Sequence, residues 1–363
     1  MHKNLMRRLA LCSLALMSPL PLMTPALAAT PLKVAFVYVS PVGQAGWTYQ
    51  HDQGRQEMER QLGAQVKTTV VEAVAEGADS ERVMRDLAAQ GHQLIFATSF
   101  GYLEPALRVA AEFPAVKFEH AGGYKTAANL NTYNARYYEA RYLAGMLAGQ
   151  ASRSGIAGYV AGFPVPEVVQ GLNAFTLGMR SVNPKAEVKV VWLNAWFDPA
   201  RERDAALTLV GQGADVLTNH SGSPAVPQVA EEKGVKLLAY QSDMRKFAPT
   251  AQLAAVTHHW GGYYTRVAQA VQAGRWQARP VWGGMKDGLV QLSGWSPAIG
   301  AAQRAQVEQR QVQIETGRFQ PFSGRLQDNT GQLRLAQGAL DDAQIARMDW
   351  LVQGVTGSLP AAR

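Results

Sequence analysis

Cysteine is almost missing from this chain. Cys12 is the only one among 363 residues, and it falls inside a segment that reads as a leader. Lipid attachment there would need a small residue just before the cysteine, and Leu11 is not small. Without another cysteine, the rest of the chain can form no internal disulfide and no thiolate metal site, and it has no cysteine nucleophile. Long apolar runs are also missing: nothing after Ala29 resembles a membrane-spanning helix. Catalytic signatures are missing too. There is no G-x-S-x-G elbow, no P-loop and no convincing dinucleotide fingerprint. Ser99-Phe100-Gly101 and Ser221-Gly222-Ser223 come with no triad partner at a telling spacing. Carboxylates are plentiful, but no pair is marked out for acid–base work, so the sequence argues against an enzyme.

What is present begins with the leader. Lys3, Arg7 and Arg8 precede an apolar stretch from Leu9 to Met23, and the segment ends Ala26-Leu27-Ala28. A charged start, a short apolar middle and a small-x-small end make a secretory signal peptide over residues 1–28, with cleavage near Ala28. Pro19 and Pro21 interrupt the apolar run, which argues against an anchor. The expected location is the periplasm. The whole sequence carries 35 basic and 28 acidic residues; with Lys3, Arg7 and Arg8 set aside, 32 basic residues face 28 acidic ones. That scattered excess is weak ground for nucleic-acid binding, and none is expected. About 335 residues remain, a length that suits two domains.

Short apolar or β-branched runs alternate with amphipathic stretches. Lys33–Val39, Val66–Val71, Leu94–Ala97 and Val116–Glu119 read as strands, with helices over Trp47–Leu62, Ser80–Gln90 and Glu104–Glu112 between them. The pattern restarts with a helix over Tyr137–Ala151. Strands then follow at Ile156–Val160, Glu187–Leu193, Asp215–Thr218, Lys236–Tyr240 and Leu253–Thr257, interleaved with helices, and a last helix covers Gly261–Ala273. Such alternation predicts βαβ units and parallel sheets covered on both faces. The 130s read as the crossing between two similar halves. The tail from Ala301 is mixed.

In open α/β sheets, ligands bind beyond the carboxyl ends of the strands. Those positions hold Trp47 on a Gly-rich loop, Phe100 and Tyr102, then His120 and Asn134. In the second half they hold Asn194, Trp196 and Phe197, then Asp243, then His259 and Trp260. Large flat rings beside hydrogen-bonding side chains suit a planar heterocycle. Of Trp196 and Phe197, one is expected to bind and the other to pack. Trp260 is left open between cleft and core. Asp243 is read either as the ring-edge partner or as the cap of the next helix, and Asp198 before Pro199 as a helix cap.

Taken in order, these residues resemble the basic membrane protein family of ABC-transporter solute-binding proteins, which includes purine nucleoside receptors. The resemblance rests on Val34-Ala35-Phe36-Val37, Gly46-Trp47-Thr48-Tyr49-Gln50, Tyr142-Leu143-Ala144-Gly145 and Gly158-Tyr159-Val160-Ala161-Gly162. Phe175-Thr176-Leu177-Gly178-Met179, Trp196-Phe197-Asp198, Gly213-Ala214-Asp215-Val216, Gln241-Ser242-Asp243 and Lys286-Asp287-Gly288 extend it. It implies a two-lobed type I periplasmic-binding-protein fold whose lobes are joined by a hinge of three crossings. The expected N-terminal lobe is 29–132, completed by about 258–283. The expected C-terminal lobe is 133–257, completed by part of 284–363. It also implies a purine stacked between aromatics near Trp47 and Trp196-Phe197, with a permease as partner, no cofactor and a monomeric chain. Nucleoside-binding members commonly carry a lysine where this chain has Thr257-His258-His259-Trp260. A bulky Trp260 in the sugar's place leans the expectation toward a free base such as adenine over a nucleoside. Two further readings stand beside this one. A sensor would use the same cleft without transport. A metal-binding protein would need His51, His120, His220 and His258-His259 to converge, although neighbouring strand residues point to opposite sides.

Overall fold

The computed structural model describes residues 30–360. The leader read at 1–28, with Cys12, lies outside them. The first half runs β1 (Leu32–Val37), α1 (Trp47–Leu62), β2 (Val66–Val71), α2 (Ala78–Ala89), β3 (Leu94–Ala97), α3 (Leu103–Glu112), β4 (Lys117–Ala121) and β5 (Leu130–Ala135). The second half runs α4 (Tyr137–Ala151), β6 (Ile156–Ala161), α5 (Pro166–Val182), β7 (Glu187–Trp192), α6 (Pro199–Gly211), β8 (Val216–His220), α7 (Ala225–Lys233), β9 (Lys236–Gln241) and β10 (Gln252–His258). Then α8 (Gly261–Gln272) and β11 (Val281–Gly283) return to the first sheet, and β12 (Val290–Ser293) joins the second. After α9 (Ala301–Glu315) come the hairpin β13 (Leu326–Gln327) and β14 (Leu333–Leu335), α10 (Asp342–Ala346) and β15 (Val355–Thr356).

The strand orders are β11-β5-β4-β3-β1-β2 and β12-β10-β9-β8-β6-β7-β15. Both sheets are parallel except for β12, which pairs antiparallel with β10. Alternation along β1 explains why its sequence is apolar throughout. Val34 and Phe36 pack into the core under Met58 of α1, while Ala35 and Val37 pack with Met84 of α2 and Val109 of α3. A strand covered on both faces has no polar side to show. β6 divides in the same way: Tyr159 faces Phe175 of α5, and Val160 lies with Leu209 and Val226.

The chain passes between the sheets three times: at Arg136 between β5 and α4, at His259–Trp260 between β10 and α8, and over 284–289 between β11 and β12. The 130s are therefore first a strand, with the crossing only at its end. The tail, unassigned from sequence, is ordered structure. β15 extends the second sheet beside β7, and Ile345, Met348, Leu351 and Val352 are buried.

Candidate ligand-binding cleft

Both sheets point their carboxyl ends at one cavity of about 550 Å³, counting the space open to solvent. The first lobe lines it with Val39 and Ser40 after β1, Trp47, Ser99 and Phe100 after β3, and Ala121 and Gly122 at β4. The second lobe contributes Val165 and Glu167 at the start of α5, Trp196 after β7, His220, Ser221 and Gly222 at β8, and Gln241 closing β9.

The lobes touch around this cavity. A Cβ on Gly46 would stand 2.2 Å from the Gly222 carbonyl oxygen, so no side chain fits there. The Gly46 amide donates to Ser242 Oγ at 2.9 Å. Gln50 Nε2 donates to the His258 carbonyl at 2.8 Å. Trp196 Nε1 donates to Glu76 Oε1 at 3.1 Å.

The two tryptophans of the wall also have support within their own lobes. Trp47 Nε1 donates to the Thr98 carbonyl at 2.7 Å, and its ring meets His51 edge-on at 4.4 Å. Trp196 rests against Phe163, with ring centroids 4.8 Å apart. The polar wall is held from behind. Glu202 on α6 is buried and accepts from Ser221 Oγ at 2.8 Å and Ser223 Oγ at 2.7 Å. Burial pushes its pKa up, against the pull of these donors. His220 Nε2 lies 3.6 Å from Glu167 Oε1. Burial pushes the His220 pKa below its ordinary value, and the Glu167 carboxylate opposes that shift. His220 Nδ1 and Gln241 Oε1 are buried without a partner among the described residues, and Gln241 has a left-handed backbone at φ 69°. Unpaired polar atoms on a cavity wall are groups a ligand can satisfy.

Of the residues singled out from sequence, Trp47, Phe100 and Trp196 line the cavity. Phe197 stands outside it, 38% exposed, in a depression at the cleft mouth. Asn194 occupies an exposed turn with φ 52°. Tyr102 is buried and donates to the Val74 carbonyl at 2.6 Å. His120 is buried behind the wall, facing Gly123. Asn134 lies in an adjoining groove with Trp282, and its Oδ1 accepts from the Ala135 amide.

Asp243 is placed away from the cavity. The left-handed Gln241 turns the chain after β9, so Ser242 meets Gly46 and Asp243 faces outward. There its carboxylate takes Arg245 Nε at 2.8 Å and Gln252 Nε2 at 2.9 Å. His259 shares that outer depression and bonds Thr257. Trp260 is 1% exposed and stacks on His51 at 5.4 Å. It fills the core at the second crossing and does not occupy the cavity. His258 turns inward and His259 outward, and among the described residues no group of three His, Cys, Asp or Glu is arranged to hold a metal ion. Asp198 caps α6 through the Arg201 amide. Ser40, Ser99, His220, Ser221 and Gln241 also line the cavity; each follows or closes a strand, but none was singled out from sequence as a ligand contact. Glu167, in the first turn of a helix, gave no signal.

A family model described as "ABC transporter substrate-binding protein PnrA-like" matches residues 32–317. The chain is 55% identical over 262 residues to a purine-binding protein of Brucella abortus, covering 72% of this chain and 75% of that one. It is 38% identical over 330 residues to a Haloferax volcanii protein named for glucose binding by an ABC transporter, covering 91% and 82%. Among solved structures, a solute-binding protein of an ABC transporter system from Aeropyrum pernix superposes with a TM-score of 0.68 at 18% identity, covering 87% of this chain and 95% of that one. One from Conexibacter woesei gives 0.65 at 19% identity, covering 80% and 98%. These structural likenesses speak for the fold, a two-lobed type I periplasmic-binding-protein architecture. The chain belongs to the Bmp family of PnrA-like ABC-transporter substrate-binding proteins.

Proposed function

We propose that this protein captures a purine base, adenine-like, between its lobes in the periplasm and presents it to the permease of an ABC importer. The observation that carries the reading is the make-up of the cavity. Trp47 and Phe100 come from one lobe and Trp196 from the other, and hydrogen-bonding groups of His220, Gln241 and Glu167 line the same cavity. Rings supply flat apolar faces for a heterocycle, and the polar groups address its edge. The 55% identity to the purine-binding protein of Brucella abortus supports the same ligand class.

Trp260 gives no ground for preferring a base over a nucleoside, because it is packed in the core. The preference rests instead on the cavity's charge. Among the described residues no lysine or arginine lines it, and Glu167 is its single carboxylate. The cations and carboxylates that would grip a ribose are therefore few.

Closure is the mechanism. Contacts from both lobes stabilise the closed form over the open one, so the ligand selects the shape that docks on the permease. No cofactor enters, and the chain acts as a monomer. Calorimetric titration of the ligand-free protein with adenine, adenosine and glucose tests the assignment. Adenine binding tightest is the expected result. Tighter adenosine binding replaces the base with a nucleoside, and binding of glucose alone overturns the purine reading. Loss of adenine uptake on deleting the gene separates transport from sensing.

A further inference from the structure

Glu76 stands in the loop between β2 and α2 of the first lobe, at the cleft mouth and outside the cavity wall. Three donors converge on its Oε1: Ser99 Oγ at 2.6 Å, the Gly101 amide at 2.8 Å and Trp196 Nε1 at 3.1 Å. The first two belong to the same lobe as Glu76, and the third crosses the cleft. A Cβ on Gly101 would lie 2.4 Å from the Glu76 carboxyl carbon, so the turn after β3 has been shaped to let the carboxylate in. That turn also sets Ser99 and Phe100 on the cavity wall.

Trp196 is the partition between the cavity and the outer depression, since it lines both. Its ring has support from Phe163 in its own lobe, but its N–H finds its acceptor only on the other lobe. We propose that Glu76 is the latch of the closed form, a positioning residue that holds Trp196 across the cleft without touching the ligand. Because Ser99 and Gly101 fix the carboxylate beforehand, little side-chain freedom is lost when the indole arrives. The latch and the ligand favour the same closed state, so each strengthens the other. This rests on the binding function proposed above, though not on which ligand is bound.

Two measurements on the full chain test it. Dissociation of adenine is followed by stopped flow in a double-mutant cycle of Glu76→Ala and Trp196→Phe. Glu76→Ala is expected to speed release about fivefold, the scale of a partly exposed charge-assisted bond, and to leave association nearly unchanged. Glu76→Gln, which keeps a carbonyl acceptor, restores most of the slow release. In the Trp196→Phe background Glu76→Ala adds nothing more. Release unchanged by Glu76→Ala overturns the latch, as does a full effect persisting without the indole N–H. Spin labels attached one to each lobe report closure whatever the ligand. Glu76→Ala should move the ligand-free distances toward the open form, and an unchanged distribution overturns the latch. A wild-type chain that ignores purines sinks the purine reading, while the distance comparison still judges the latch.

Discussion

In the first lobe the cavity wall is Val39, Trp47, Phe100, Ala121 and Gly122, with Ser40 and Ser99 as its polar members. In the second, Val165, Trp196 and Gly222 are joined by four polar members, Glu167, His220, Ser221 and Gln241. The same difference runs through the interiors. The first lobe turns one of its buried carboxyls, Glu119 on β4, toward α8 and away from the cavity, where Tyr263, Trp276 and Asn131 donate to it. The second sends Glu202 to the back of the loop that forms the cavity wall. One plan of sheet and helices has thus been used to make a flat apolar plate and, opposite it, a polar edge. Burial of a polar group is tolerated where donors meet it, and the two lobes differ in which face they give those donors to.

The largest expected effect tests whether the first lobe's polar interior is separate from binding. Burial raises the Glu119 pKa to about 7, against its three donors. The folded chain then keeps the proton up to about pH 7, whereas the unfolded chain releases it near the ordinary glutamate value. Stability from this group is fully present below that ordinary value and is lost as pH rises through 7. Glu119→Gln has no proton to lose. Relative to wild type, the variant should gain about 3 kcal/mol between pH 4.5 and pH 8, read by urea unfolding, with ligand affinity unchanged. A gap that does not vary with pH would show that the buried carboxyl titrates as an exposed one does. Next in size is Trp47→Ala, the plate itself. Loss of a stacked ring should weaken adenine binding by about 1–3 kcal/mol by calorimetry. Unchanged affinity would mean that Trp47 only props up the wall.

The plate was easier to foresee from sequence than the edge. Apolar runs and helical periods mark most strands and helices, and aromatics just past strand ends stand out, so Trp47, Phe100 and Trp196, which line the cavity, were singled out. β5, with the sequence LNTYNA, lacks an apolar run, and β11, β12 and β15 are four residues or fewer. Such strands exist because a neighbouring strand offers them hydrogen bonds, which no local pattern encodes. The edge was missed for a similar reason. Whether Gln241 or Asp243 faces the cavity depends on a left-handed backbone at Gln241, in a residue type that does not announce it. Trp260 stands at a strand end as Trp47 follows one, but His51 and Tyr264 draw it into the core.

The third expected effect concerns that edge. Glu167→Gln keeps the size and one acceptor but removes the charge beside His220. Affinity for adenine should fall by about 1 kcal/mol, less than for the plate, because the group is one of several polar contacts. A loss exceeding that of Trp47→Ala would reverse the division of labour between the lobes.

The smallest effect asks whether the second lobe's extra element, its tail, also restrains the first. Arg136 stands at the first crossing and donates to Asp342 of α10 at 2.6 and 2.7 Å, to Tyr138 Oη at 2.8 Å and to the Trp282 carbonyl at 3.2 Å. Its guanidinium also lies 4.5 Å from the Trp282 ring centre. One side chain therefore joins the first crossing, the edge strand of the first sheet and the tail. Asp342 is 61% exposed, so solvent screens most of the pair's attraction, although its two-bond geometry is favourable. Asp342→Asn should cost about 0.5 kcal/mol in urea unfolding, and the cost should shrink in high salt. Adenine affinity should stay within twofold of wild type if the tail braces only its own lobe. A larger shift in affinity at equal stability would mean that the tail biases the hinge, and the contrast between the lobes would then extend from the cavity walls to the control of closure.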